Sequence, residues 1–142
     1  MISPTSTRIL IADDDADDLE LFTEAITKMH SETVVKTFLS GTAALRHLEL
    51  CPDEELPHFI VLDYNIPDIN GSEILNQILY SRKVQHIPVF IWSTSNSPHL
   101  RNECLGRGAK AFFVKPVLYN DMLQMAQQLI HMAGLRVVSP TR

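Results

Sequence analysis

The residues that could do chemistry in this chain sit in four short stretches. "ADDDADDLE" places five aspartates within six positions: Asp13, Asp14, Asp15, Asp17 and Asp18. "FIVLDYNIPDINGSEIL" runs four apolar residues into Asp63 and then into a loop holding Pro and Gly. "PVFIWSTS" ends an apolar run on Ser93, and "GAKAFFVKP" ends another on Lys115. Gathered at one place, Asp13, Asp14, Asp63, Ser93 and Lys115 make a charge-complementary set. Two carboxylates about 4 Å apart repel by about 4 kcal/mol at an effective dielectric of 20, so three together need a cation. Mg²⁺ suits such a group, because it takes hard oxygen ligands, keeps several waters and tolerates a phosphate oxygen. A carboxylate beside it can attack phosphorus and become an aspartyl phosphate. The protein's part in that chemistry is mostly positioning and neutralising charge on the equatorial oxygens. Lys115, the Ser93 hydroxyl and Mg²⁺ could each take one of those oxygens, leaving Asp63 as the attacking group.

Each residue alone has a plainer reading. Asp63 could start a turn, Lys115 could lie on the surface, and Ser93 could satisfy a neighbouring backbone group. Asp15 reads as a helix cap, and Asp17 and Asp18 as first-turn acids favoured by the macrodipole. Asp13, Asp15 and Asp17 with Glu24 also mimic a calcium loop. Asp18 stands where that loop needs Gly, however, and a strand precedes it, so the match reads as chance. The scattered His residues and the two cysteines, Cys51 and Cys104, have no metal-like spacing.

The elements that must position the set alternate regularly. "RILIA" (Arg8–Ala12) predicts a first strand, followed by a helix with Leu19, Phe22, Ile26 and Met29 on one stripe. "TVVKTFL" (Thr33–Leu39) is a weaker strand suited to a sheet edge, and Ser40 caps a helix carrying Ala44, Leu45 and Leu48. "HFIVLD" is the third strand, and Gly71–Ser72 opens a helix with Ile74, Leu75, Ile78 and Leu79 inward. Ile87–Trp92 is the fourth strand. Ser97 with Pro98 starts a short polar helix to about Arg107. "AFFV" (Ala111–Val114) is the fifth strand. The last helix carries Met122, Met125, Ala126, Leu129 and Ile130 and stops at Gly134. Five such βα units predict a parallel sheet with helices on both faces, a doubly wound α/β sandwich. In such folds ligands bind outside the carboxyl ends of the strands, where all the candidate residues fall.

The bulk numbers fit this reading. A length of 142 residues suits one domain with its own core. A formal net charge of −5 without a basic block argues against nucleic-acid binding. No apolar run approaches membrane-spanning length, and the N-terminus lacks a signal-peptide layout, so a cytoplasmic protein is expected.

At these residues the chain resembles the receiver domains of two-component response regulators. "ADD" is similar to the family's metal-binding acids, and "LDYNIPDINGSE" to its phosphoacceptor segment. "PVFIWST" and "GAKAFFVKP" match its switch hydroxyl, switch aromatic and lysine. The resemblance implies a flavodoxin-like (βα)5 sheet of order 2-1-3-4-5 and a cis bond before Pro116. It implies Asp63 as phosphoacceptor and Mg²⁺ held by Asp13, Asp14, Asp63 and the Asn65 backbone carbonyl. Ser93 and Phe112 would be switch residues, although Phe112 and Val114 fit core packing equally well. The expected unit is a receiver over residues 8–133, between loose ends at 1–7 and 134–142, of the stand-alone type.

Its expected partners are a sensor histidine kinase or a histidine phosphotransfer protein, and a downstream protein that the sequence does not name. It would be no enzyme beyond its own phosphorylation and dephosphorylation. Asn65 and Ser95, two residues past Asp63 and Ser93, imply a shorter-lived phosphoryl group. Two other readings compete. One is a phosphorylation-independent interaction module on the same fold, whose members usually lack an acid or the lysine. The other is a haloacid dehalogenase-like phosphatase, whose second nucleophile-loop acid is absent from Asp63-Tyr64-Asn65.

Overall fold

The computed structural model describes residues 6–135. Its five strands are β1 (Thr7–Ala12), β2 (Thr33–Phe38), β3 (Phe59–Asp63), β4 (Val89–Ser93) and β5 (Ala111–Val114). They alternate with helices α1 (Ala16–Met29), α2 (Gly41–Leu50), α3 (Gly71–Leu79), α4 (Pro98–Gly106) and α5 (Tyr119–Met132). All neighbouring strands are parallel and the order is β2-β1-β3-β4-β5, as the resemblance implied.

Period-two alternation along the central strands divides the core in two. Leu10, Ile60, Leu62, Ile91 and Phe112 face α2, α3 and α4, packing with Leu48, Ile74, Leu75 and Cys104. Ile11, Phe59, Val61, Phe90 and Trp92 face α1 and α5, packing with Phe22, Ile26, Met125 and Ile130. Both faces of β3 and β4 are buried throughout, which is why those segments read as unbroken apolar runs. β2 pairs only with β1 and alternates with exposed Lys36 and Thr37, the expected edge strand.

Boundaries differ in small, explicable ways. β1 starts at Thr7, which is buried and pairs with Thr33, one residue before the apolar run that predicts the strand from Arg8. β4 starts at Val89 instead of Ile87 because Pro88 has no N–H for the ladder and only accepts, from the Ile60 N–H at 3.0 Å. α3 opens at Gly71 as expected, and Asn70 caps it by accepting from the Glu73 N–H at 2.9 Å. A one-turn 3-10 helix at Asp53–Glu55 carried no sequence signal strong enough to predict it. Asp15 and Ser97 cap α1 and α4 as expected, and Gly134 ends α5 with a φ of 78°. The Lys115–Pro116 bond is trans, like every peptide bond among the described residues, and corrects the expected cis bond. The two X–Pro isomers differ by only about 0.5–1 kcal/mol, so a sequence resemblance does not fix the isomer.

At Gly71 the start of α3 lies directly against the backbone at the end of β3. A Cβ there would lie 2.7 Å from the Asp63 carbonyl oxygen and 3.0 Å from the Tyr64 Cα. Backbone that cannot swing aside receives this contact, so Gly71→Ala is expected to lower stability by roughly 1–3 kcal/mol, as overpacking does. Urea unfolding of both proteins measures it; an unchanged midpoint would show that α3 and the β3 end are not in rigid contact.

Candidate functional site

Strand register brings the candidate residues together. Ala12 pairs with Leu62, Asp63 with Trp92, and Ser93 with Val114, so β1, β3, β4 and β5 end at nearly one level. The ladder continues one residue further at three of them: Asp13 N–H donates to Phe38 O, Tyr64 N–H to Trp92 O and Lys115 N–H to Ser93 O, at 2.8–3.0 Å. Asp13, Asp63, Ser93 and Lys115 are thus fixed by backbone pairing before any side chain interacts.

Asp13, Asp14 and Asp63 converge, with one carboxylate oxygen from each lying within 4.8 Å of the others. Asp13 and Asp63 are buried, at 0% and 3% exposure, whereas Asp14 is exposed and leaves the cluster open on one side. Lys115 Nζ stands 2.7 Å from Asp13 Oδ2, 2.9 Å from Asp18 Oδ2 and 3.3 Å from Asp63 Oδ2. It also lies 5.1 Å from the Trp92 ring centroid, a cation–π contact that places Trp92 directly beside the site. Asp13 Oδ1 accepts from the Asp15 N–H at 2.8 Å, but the buried Oδ2 meets Lys115 off the hydrogen-bond direction. A buried carboxylate oxygen without an aligned donor, beside two more carboxylates, fits a hard divalent cation such as Mg²⁺.

Burial pushes the Asp13 carboxyl up to about 6, only partly offset by Lys115 and the Asp15 N–H. Burial also opposes the charge on Lys115, but its contacts with Asp13 and Asp18, and the charge of Asp63, outweigh that. They hold the ammonium above its usual range.

The other predicted residues divide. Ser93 is fully buried, and its Oγ accepts from the Ser95 N–H at 3.1 Å. Ser95 Oγ accepts in turn from the Ser97 N–H at 3.2 Å, and Ser97 caps α4, so serines link the β4 end to that helix. The Asn65 N–H donates to Asp63 Oδ1 at 3.1 Å, an Asx turn that holds the loop against the carboxylate. Phe112 is buried on the α2–α4 side of the core.

Three contributors escaped the sequence reading. Asp18, whose local reading is first-turn helix charge, is a direct partner of Lys115. Asp68 accepts from Ser40 Oγ and from the Gly41 and Thr42 N–H groups at 2.9–3.1 Å, tying the loop after Asp63 to the start of α2. Burial pushes its carboxyl up, but these donors together outweigh it and hold the carboxyl well below the usual range. Tyr64, next to Asp63, donates its hydroxyl to Glu103 of α4 at 2.9 Å. No local pattern relates residues 39 positions apart.

The Asp13 shift has a definite sign. The folded chain binds this proton more tightly than the unfolded chain, so Asp13 contributes stability that is complete below pH 3.8 and lost as pH rises through about 6. In chelator, Asp13→Asn is expected to raise the melting temperature at pH 7 by several degrees and to change it little at pH 4. Thermal melts across that range check this; parallel wild-type and variant curves would contradict a buried, disfavoured Asp13 charge.

Residues 9–127 match the family model of the response regulator receiver domain. The chain is 31% identical over 122 residues to two-component response regulator ORR3 of Oryza sativa subsp. indica, covering 86% of this chain and 89% of that protein. It is 33% identical over 118 residues to ORR12 of Oryza sativa subsp. japonica, covering 83% and 93%. Among solved structures, the Mn²⁺-bound form of response regulator Rcp1 matches with a TM-score of 0.78 at 22% identity, over 94% of this chain and 99% of that one. The phosphorylated cyanobacterial phytochrome response regulator RcpA matches with a TM-score of 0.82 at 21% identity, over 95% and 100%. Fold, family model and relatives agree, and the chain belongs to the response regulator receiver domain family of two-component signalling.

Proposed function

We propose that this receiver is a phosphorylation switch that takes a phosphoryl group from a histidine kinase or histidine phosphotransfer protein onto Asp63. The observation that carries the reading is the convergence of Asp13, Asp14 and Asp63 within 4.8 Å, with the Lys115 ammonium among them. Asp13, Asp14, Asp63 and the Asn65 carbonyl would hold Mg²⁺, which when bound neutralises charge on the phosphoryl oxygens. An Asp63 carboxylate oxygen forms the new bond to phosphorus as the phosphohistidine P–N bond breaks. The electron pair of that bond stays on the departing imidazole nitrogen. Lys115, loosely placed at 3.3 Å from Asp63, turns to a phosphoryl oxygen.

Ser93 then leaves the Ser95 N–H and donates its hydroxyl to another phosphoryl oxygen. That step opens the serine series leading into α4, so the acceptor's state is felt at a helix whose other ties are few. Phe112 repacking belongs to the same shift, a population change driven by differential contacts in the two states. The output is a changed protein-binding surface, read by a downstream protein.

Intact mass after incubation with Mg²⁺ and a small acyl phosphate, or a phosphorylated histidine protein, tests the reading. Wild type is expected to gain one phosphoryl group only with the metal, and Asp63→Asn none. Equal gain by Asp63→Asn, or no gain by wild type from either donor, would sink it. Asn65 is exposed and Ser95 half-buried, leaving a polar path for water to the phosphoryl group, so its half-life is expected to fall well short of many hours.

A further inference from the structure

We propose that Asp18 is a positioning residue for the phosphoryl-transfer lysine, holding the Lys115 ammonium off Asp63 until phosphorus arrives. This rests on the reading of Asp63 as phosphoacceptor. An ammonium has three N–H donors and no acceptor, and here three carboxylates compete for them. The contacts are unequal: 2.7 Å to Asp13 and 2.9 Å to Asp18, but 3.3 Å to Asp63. Charge-assisted N–H···O bonds ordinarily close to about 2.7–2.9 Å, so the long contact is the one to the nucleophile.

The arrangement suits the reaction. A lysine closed tightly on Asp63 would stabilise the carboxylate's charge and blunt its attack. A lysine without an anchor would lose its place, because its four-carbon stem is flexible. Asp18 supplies the anchor from the first turn of α1, a rigid element whose start is fixed by the Asp15 cap. Its side chain is 28% exposed, against 10% for Lys115, so it stands at the rim where an incoming donor would enter. When phosphorus bonds to Asp63, the donor aimed at Asp63 passes to a phosphoryl oxygen, while the ion pair with Asp13 and the hydrogen bond to Asp18 persist.

Neighbouring Asp17 separates this role from simple helix charge. It too is a first-turn acid of α1, but it is exposed and makes no contact with Lys115. The dipole argument applies to both residues; the positioning argument applies to Asp18 alone.

The test is the phosphorylation rate at saturating Mg²⁺ and saturating small acyl phosphate, followed by intact mass. Asp18→Ala is expected to slow the rate about tenfold, equivalent to about 1.4 kcal/mol in the barrier. Asp18→Asn, which keeps an acceptor for Lys115, should recover most of it, and Asp17→Asn should match wild type. In a Lys115→Met background, Asp18→Ala should slow the residual rate no further. Fluorescence of Trp92, the one tryptophan of the chain, reads Mg²⁺ binding, and its half-saturation should be unaltered in Asp18→Ala.

A wild-type rate in Asp18→Ala, equal slowing by Asp17→Asn, or slowing that persists without the lysine would each overturn the proposal. So would a loss of Mg²⁺ affinity in step with the rate, which would make Asp18 part of the metal's surroundings instead. If Lys115→Met fails to fold, the Ala-against-Asn and Asp17 comparisons decide alone. Failure of the underlying reading looks different: wild type itself would take up no phosphoryl group from either kind of donor, and Asp18's role would fall with it.

Discussion

Three carboxylates held within 4.8 Å repel one another, and two of them are buried where water cannot dilute that repulsion. Lys115 is the side chain that makes the arrangement tolerable. It comes from β5, at the far side of the sheet, while Asp13 follows β1 and Asp63 ends β3. Between them lies β4, whose Trp92 presents its ring to the ammonium at 5.1 Å. An aromatic face stabilises a cation without adding another acid. Trp92 is in turn braced edge-on by Phe22 of α1, so the core and the charged site share one residue. Even so the balance is incomplete: Asp13 remains an unfavourable place for charge, and that residual cost is what a divalent cation would relieve.

The loop after Asp63 shows the same economy of fixed points. Its backbone is tied to β4 through the Tyr64 N–H and closed on itself by the Gly71 N–H to Tyr64 O bond at 2.9 Å. The Asx turn at Asn65 holds it to the carboxylate, and Asp68 pins its far side to the α2 start. Ile66 inserts into the core between these ties. A carboxylate at a strand end would ordinarily sit at the root of a mobile loop. Here the loop is anchored on three elements, and Asp63 keeps one position with its site face open.

The sequence carried most of this, and its omissions have a common cause. Strands and helices were legible because burial on both faces of β3 and β4, and one stripe on α1, α3 and α5, imposes a period on residue type. Asp63, Ser93 and Lys115 were legible because each breaks such a run at a place where parallel strands align. Asp18, Asp68 and the Tyr64–Glu103 bond were not, since each depends on which loops and helices meet in space. Asp18 had the further handicap of a sufficient local explanation in the helix macrodipole. The 3-10 turn at Asp53–Glu55 buries no side chain and so leaves no pattern to read.

The two halves of the sheet edge are held with different firmness. α1 and α5 bury continuous stripes against one face, and α2 and α3 do so against the other. α4 buries only Cys104. Leu100 packs half-buried against the same core, and the other ties are polar: Tyr64 to Glu103, Arg101 to the Phe112 carbonyl at 3.3 Å, and the serine series from Ser93. Segments with few buried apolar contacts open at lower free energy than the core around them. Two of these polar ties begin at Tyr64 and Ser93, a residue beside Asp63 and a residue at the same sheet edge. The helix least secured by the hydrophobic core is therefore one whose position leans on polar ties from the site's edge. A change at Asp63 meets rigid backbone on the β1 and β3 side and exchangeable hydrogen bonds on the α4 side. Displacement costs least along the second route.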